Sequence, residues 1–241
     1  MIKTAVIMAA GMGTRFGNMT EERPKGFIEA GGKPMVVRSI DTLIDCGIER
    51  IIIGTGYLKE VYEELATRYP QIECCFSPRY AETNSMYTLY NCRELIGNDD
   101  FLLLESDLVF ERRAITALLE CEHPDVMLIT PVTKFQDQYY VERNAEGILT
   151  NCSVNKEEVN YSGELVGIHK LSHEFYELMC VDYGKKVGSL PKLGYEYELL
   201  NMSLSREIRP VYVLCEEGLK WYEIDDIDDL QYAEKNIIKY L

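Results

Sequence analysis

The sequence predicts an α/β protein: a mixed, mainly parallel sheet flanked by helices. Three observations carry this. Short apolar runs recur along the chain with helical periods between them, the alternation that produces parallel strands covered on both faces. The rhythm is cleaner in the first half, whereas residues 139–154 read as a hairpin, which makes the sheet mixed. The 241 residues, 46% of them hydrophobic, suffice for a sizeable core, and no repeat, low-complexity tract or Ser/Pro-rich linker marks a boundary, so one domain is expected.

Taken in order, residues 4–8 are the first strand. Pro34 then opens a helix with Val36, Ile40, Leu43 and Ile44 on one stripe. Residues 50–54 form a strand, and Asn84-Ser85 introduces a helix carrying Met86, Leu89 and Tyr90. Residues 101–105 and 126–130 are apolar strands, and 139–141 pairs with 148–154 across a turn near Ala145-Glu146-Gly147. Residues 163–168, 211–214 and 221–224 complete the strands. Leu230, Ala233, Ile237 and Leu241 share one stripe of a closing helix that is expected to dock on the sheet.

A formal charge of −15 repels nucleic acid, and no polybasic stripe suits a membrane surface. The early apolar run is too short for a signal peptide or a membrane span, so a cytoplasmic protein is expected. Eight cysteines without C-x-x-C spacing sit mostly in apolar runs and read as reduced, structural thiols. A phosphate ligand therefore needs a local basic site.

Such a site is offered by "AVIMAAGMGTRFGNMTEERPKG", residues 5–26. A dinucleotide fingerprint puts its third glycine five residues after the first, yet that place holds Phe16. The helix such a fingerprint opens is replaced by a polar stretch ending at Pro24-Lys25, and the Gly-Lys-Ser/Thr ending of a Walker loop is absent. Gly11 and Gly13 let backbone N–H groups approach an anion, and Arg15 projects from the same turn. These residues form a triphosphate cradle.

The pattern G-M-G-T-R followed by P-K resembles the signature of the nucleotidyltransferases, which join a nucleoside triphosphate to a phosphorylated small molecule and release pyrophosphate. The resemblance covers nearly the whole chain and implies a Rossmann-like sheet of GT-A type. It further implies that Gly11, Gly13, Thr14 and Arg15 hold the β- and γ-phosphates, that Ala9 and Ala10 also border the nucleotide, and that Lys25 steadies the α-phosphate. Lys156, the last residue of "CSVNK", matches the family's second lysine, which the resemblance implies as a further catalytic cation beside Arg15 and Lys25.

In "FLLLESDLVF", Ser106 and Asp107 fall at the carboxyl end of a buried strand, where ligands sit in open α/β sheets. "WYEIDDIDDL" supplies the second acidic landmark. Mg²⁺ favours one or two carboxylates with phosphate oxygens and water, and the resemblance implies Asp107 and Asp225 as its ligands. Glu223 is a reserve ligand, and Asp226 has capping spacing to Asp229. The acceptor's phosphate or phosphonate oxygen is already anionic, so its in-line attack on the α-phosphorus needs no general base.

"SPRYAETNSMYTLYN" resembles the base-recognition turn of the cytidylyltransferases acting on phosphocholine and 2-aminoethylphosphonate, which favours CTP over UTP or dTTP. Thr83, Asn84 and Ser85 offer polar groups to a pyrimidine edge, or a cap to the helix that begins near Met86. The implied acceptor is a small zwitterion. A trimethylammonium group favours an aromatic cage, whereas a primary ammonium favours carboxylates and carbonyls. Trp221 is the single tryptophan, while "GYEYELLN" supplies Tyr195, Glu196 and Glu198. 2-Aminoethylphosphonate is therefore favoured, with phosphocholine next. Tyr139-Tyr140 can add to a cage, and Glu164 lies in a strand resembling a substrate-side strand of the family. The alternatives are an exposed amphipathic helix at 195–200 and an edge-strand role for Glu164. A sugar-1-phosphate nucleotidyltransferase using another nucleoside triphosphate is the alternative function; a nucleotide sensor and an NAD-dependent oxidoreductase fit the motifs less well.

Overall fold

The computed structural model describes residues 2–134, 138–205 and 209–241. In chain order the elements are β1 (Thr4–Ala9), β2 (Glu29–Ala30), β3 (Lys33–Pro34), α1 (Met35–Asp45), β4 (Arg50–Thr55), α2 (Lys59–Ala66) and β5 (Ile72–Phe76). Next come α3 (Ser85–Asn91), α4 (Arg93–Ile96), β6 (Phe101–Glu105), β7 (Leu108–Phe110), α5 (Arg113–Glu120), β8 (Val126–Thr130), β9 (Tyr140–Arg143) and β10 (Leu149–Ser153). The chain closes with β11 (Gly163–Leu171), α6 (His173–Lys186), α7 (Tyr195–Leu204), β12 (Tyr212–Cys215), β13 (Trp221–Glu223) and α8 (Ile227–Asn236).

β1 is buried along its whole length, as an unbroken apolar run requires of a strand covered on both faces. β4 and β6 flank it in parallel, and β5 extends the sheet beyond β4. β11 runs antiparallel to β6 and carries β8 and the β9–β10 hairpin, while β12 lies parallel to β8. The sheet is thus mixed and mainly parallel in its first half, with helices on both faces. The strands expected at 101–105 and 126–130 appear with those bounds.

Side chains alternate between two cores with the period of a strand. Ala5 and Ile7 join α1, α2 and α5 residues such as Ile40, Tyr62 and Ile115. Val6 and Met8 join Met86 and Leu89 of α3, Phe175 and Met179 of α6, and Leu199 of α7. A third, smaller core corrects one expectation: α8 docks not on the main sheet but beside the β2–β3 and β7–β13 ribbons, burying Ala233 and Ile237 with Phe16, Met35, Val109 and Ile224. The helix ends at Asn236, before Leu241, which is exposed.

All eight cysteines are free thiols. Among the described residues, no helix is long and apolar enough to cross a membrane. Met8 pairs in register with both Gly54 and Glu105, so β1, β4 and β6 end together. That shared carboxyl edge is where open α/β sheets bind ligands.

Candidate active site

The chain leaves β1 through the glycine loop. Gly13 has φ +61, a left-handed conformation that glycine adopts without strain, and a Cβ there would stand 3.0 Å from Lys25 Cβ. Phe16 donates its N–H to the Gly13 carbonyl and is buried in the small core. The residue that interrupts the dinucleotide fingerprint is thus the loop's apolar anchor. Pro24 leads into the short turn Lys25–Phe27, which aims Lys25 back at the loop. The buried Tyr62 hydroxyl and Ser106 close on Gly26, where an added Cβ would stand 3.0 Å from the hydroxyl and 3.2 Å from the Ser106 carbonyl oxygen, so this turn packs against the end of β6.

Charge concentrates where these segments meet. Lys25 Nζ donates to Asp107 Oδ2 at 2.5 Å and to Asp225 Oδ1 at 2.6 Å, and Arg15 Nη2 reaches the same Asp225 oxygen at 2.5 Å. Burial opposes ionisation of Asp225, whose side chain is 2% exposed, but Lys25, Arg15 and Lys134 outweigh it and hold the carboxyl below its usual range. Burial likewise opposes the Lys25 ammonium, and the attraction of Asp107 and Asp225 overcomes it, raising the lysine pKa.

Glu105, Asp107 and Glu223 each bring a carboxylate oxygen within 4.8 Å of the others. Burial first, then Asp107 and Asp225, push the Glu223 carboxyl up to about 8. Burial, Glu223 and Asp107 raise Glu105 as well. Asp107 Oδ1 is buried without a hydrogen-bond partner among the described residues. Hard oxygen donors, crowded negative charge and an unsatisfied oxygen are what a divalent cation such as Mg²⁺ fits.

These groups open into a cavity of about 410 Å³. Thr83, Asn84 and Ser85 form one wall. Asn84 caps α3 by accepting from Ser85 N–H, Thr83 Oγ1 donates to the Arg79 carbonyl, and Ser85 Oγ accepts from Tyr195 N–H. The cap is therefore Asn84 rather than Ser85. Across the cavity the Tyr195 hydroxyl donates to Glu105 Oε1 at 2.7 Å. Glu196 is buried, which pushes its carboxyl up to about 7, and its Oε2 has no hydrogen-bond partner among the described residues. Tyr139 adds an aromatic face.

Of the residues named from the sequence, Ala10, Gly11, Arg15 and Lys25 line the cavity from the loop side, Thr83, Asn84, Ser85, Ser106 and Asp107 from the sheet edge, and Tyr139, Tyr195 and Glu196 from the far wall. Asp225 stands behind Lys25 and Arg15. Ala9, Gly13 and Thr14 shape the loop without lining the cavity.

Three expectations need correction. Lys156 sits on the exposed turn Lys156–Glu158 beyond β10 and is not brought to the cavity. Glu164 is fully buried on β11, which is no edge strand; its oxygens accept from Thr133 Oγ1 and Lys134 N–H rather than facing a substrate. Glu198 is two residues from Glu196, about 200° around a helix, and so turns away, toward Lys186 and Asn201. Residues 195–198 are also mostly buried, not an exposed face. The sequence reading missed Glu105, Tyr62 and Lys134. A charged residue closing the apolar run "FLLLE" was the available signal for the first; Tyr62 and Lys134 carried none.

Residues 5–173 match the family of MobA-like NTP transferase domains. The 2-aminoethylphosphonate cytidylyltransferase of Lancefieldella rimae is 37% identical over 105 residues, 44% of this chain and 43% of that protein. The choline-phosphate cytidylyltransferase of Streptococcus pneumoniae is 40% identical over 94 residues, 39% of this chain and 41% of that protein. The matched stretches thus span about two fifths of these relatives' lengths. The solved structure of the CTP:phosphocholine cytidylyltransferase from Streptococcus pneumoniae superimposes with a TM-score of 0.81 at 25% identity, covering 97% of this chain and 99% of that one. With the glycine loop, Lys25 and the sheet-edge Asp107 all within residues 5–173, the chain belongs to the MobA-like NTP transferase domain family.

Proposed function

We propose that the protein is a Mg²⁺-dependent cytidylyltransferase that transfers CMP from CTP to a small phosphonate or phosphate alkylamine, with 2-aminoethylphosphonate first and phosphocholine next. The observation that carries this reading is the Lys25 ammonium held between Asp107 and Asp225, with Arg15 beside it, at the carboxyl edge of the sheet. Two cations and a carboxylate cluster facing one cavity suit a triphosphate and its metal.

The acceptor oxygen attacks the α-phosphorus in line. A P–O bond to the acceptor forms, the bond to the α–β bridging oxygen breaks, and pyrophosphate leaves with that electron pair. Arg15 and Lys25 turn from Asp225 to the phosphate oxygens and neutralise the charge that grows there. The backbone of Gly11 lies close enough to the cavity to cradle the phosphates. Thr83, Asn84 and Ser85 face the cytosine edge. Asp107 and Asp225, with Glu223 in reserve and Glu105 close by, would hold Mg²⁺, which when bound offsets negative charge on phosphate oxygens.

The acceptor's ammonium faces Glu196, Tyr195 and the Tyr139 ring. A carboxylate and no lining tryptophan favour a primary over a quaternary ammonium; Trp221 instead donates to Thr130 Oγ1 inside the core. Incubation with CTP, Mg²⁺ and each acceptor, following pyrophosphate, tests the reading. Fastest release with 2-aminoethylphosphonate is expected. No release with any phosphoalkylamine overturns it, and turnover of hexose 1-phosphates instead moves the assignment to sugar nucleotide synthesis.

A further inference from the structure

Asp225 divides its two oxygens between two sets of cations. Oδ1 accepts from Arg15 and Lys25, both of which line the cavity. Oδ2 faces Lys134, whose Nζ stands 3.6 Å away and is not among the cavity-lining groups. Lys134 is tied to this carboxylate by a second route. Its Nζ donates to Asp229 Oδ2 at 2.8 Å, and the same oxygen accepts from Asp225 N–H at 3.0 Å. The lysine side chain is 16% exposed and lies over the Tyr222 ring.

The segment that carries Lys134 is clamped in its turn. Glu164, fully buried on β11, accepts from Thr133 Oγ1 at 2.5 Å and from Lys134 N–H at 3.2 Å. A buried carboxylate on the central sheet thus fixes the backbone of a lysine whose far end balances another buried carboxylate.

A triphosphate entering the cavity competes with Asp225 for Arg15 and Lys25. Leaving a carboxylate this deeply buried without any cation, before a metal ion reaches it, is strongly unfavourable. We infer that Lys134 is the resident counter-ion of Asp225: a positioning residue that balances this carboxylate and holds it in place while the nucleotide draws Arg15 and Lys25 to its phosphates. Arg15 and Lys25 are then the exchangeable partners and Lys134 the permanent one. The inference rests on the proposed cytidylyltransferase reading.

The test compares the wild type with Lys134→Met, which removes the charge, and Lys134→Arg, which keeps it. CTP affinity is measured by calorimetry without a divalent ion, and pyrophosphate release is measured beside it. Lys134→Met is expected to weaken CTP binding by about tenfold or more, the effect of removing one partner of a buried charge pair. Its unfolding temperature without CTP falls only through the lost Asp229 contact, because Arg15 and Lys25 still balance Asp225 in that state. Lys134→Gln, which keeps a donor toward Asp229, shows the same loss of CTP affinity with less loss of stability. Lys134→Arg is expected to return affinity to within about threefold of wild type, since the charge remains on a longer donor. Lys134→Gln, which retains a donor toward Asp229, replaces the Met variant if that variant does not fold. Wild-type CTP affinity in the charge-removing variant overturns the inference, as does a loss that arginine does not restore. A wild type that binds no CTP overturns the reading of function, and this inference with it.

Discussion

Lys25 holds, between Asp107 and Asp225, the position of a cation bridging two carboxylates. Lys25→Ala and Asp107→Ala are each expected to lower turnover by about two orders of magnitude or more, the scale of losing a charge partner in the transition state, while the protein stays folded by circular dichroism. Glu223 carries a second prediction. Its carboxyl, ordinarily near 4.5, is raised to about 8 by burial and by Asp107 and Asp225. Below the ordinary value both folded and unfolded chains hold this proton, and the stabilisation is complete. Above it the unfolded chain releases the proton while the folded one retains it, so stability falls as pH rises through about 8. Thermal unfolding across this window should show that decline, and Mg²⁺ should flatten it by taking the proton's place. At this scale the sequence revealed residue types but not directions. Glu196 and Glu198 look alike in "GYEYELLN", and only the turn of α7 separates the one facing the cavity from the one facing α6.

Among the elements, β11 shapes the site through an irregularity. Its pairing with β8 shifts register between Leu165 and His169, and Gly167 within that span has φ +77. A Cβ at Gly167 would stand 3.0 Å from Glu105 Oε2. Gly167→Ala is expected to cost about 1 kcal/mol or more, because alanine there meets both an unfavourable backbone and the carboxylate. Denaturant titration checks the stability, and a raised Mg²⁺ requirement in turnover checks the displaced Glu105. The long apolar strands were legible because burial on both faces leaves an unbroken apolar run. β5 and β7 were not. β5 carries Glu73 in a half-exposed segment, and β7 is three residues long, too short to show a period. The closing helix was legible as a stripe, but its docking partner was not, since the small core it joins gathers residues from Phe16 to Ile237.

The whole molecule carries a net charge of −15 yet gathers Arg15, Lys25 and Lys134 around one buried aspartate. A ligand that binds only the folded chain stabilises it by about 2.7 kcal/mol at a hundred times its dissociation constant. CTP with Mg²⁺ should therefore raise the unfolding temperature, and CMP, which lacks the β- and γ-phosphates, should raise it much less. Equal shifts from the two would contradict a triphosphate cradle. The fold class and the loop–lysine–carboxylate framework were readable because each lies in a contiguous motif. The Glu164–Lys134–Asp225 linkage was not, because it joins three separate segments through side-chain contacts that no local pattern encodes. A crystal structure with CTP and Mg²⁺ bears on all of this at once. The triphosphate should lie against the Gly11–Arg15 loop with Arg15 and Lys25 turned from Asp225 to its oxygens, and with cytosine beside Thr83, Asn84 and Ser85. A nucleotide bound elsewhere, or bound in the cavity with both cations still on Asp225, would contradict the account.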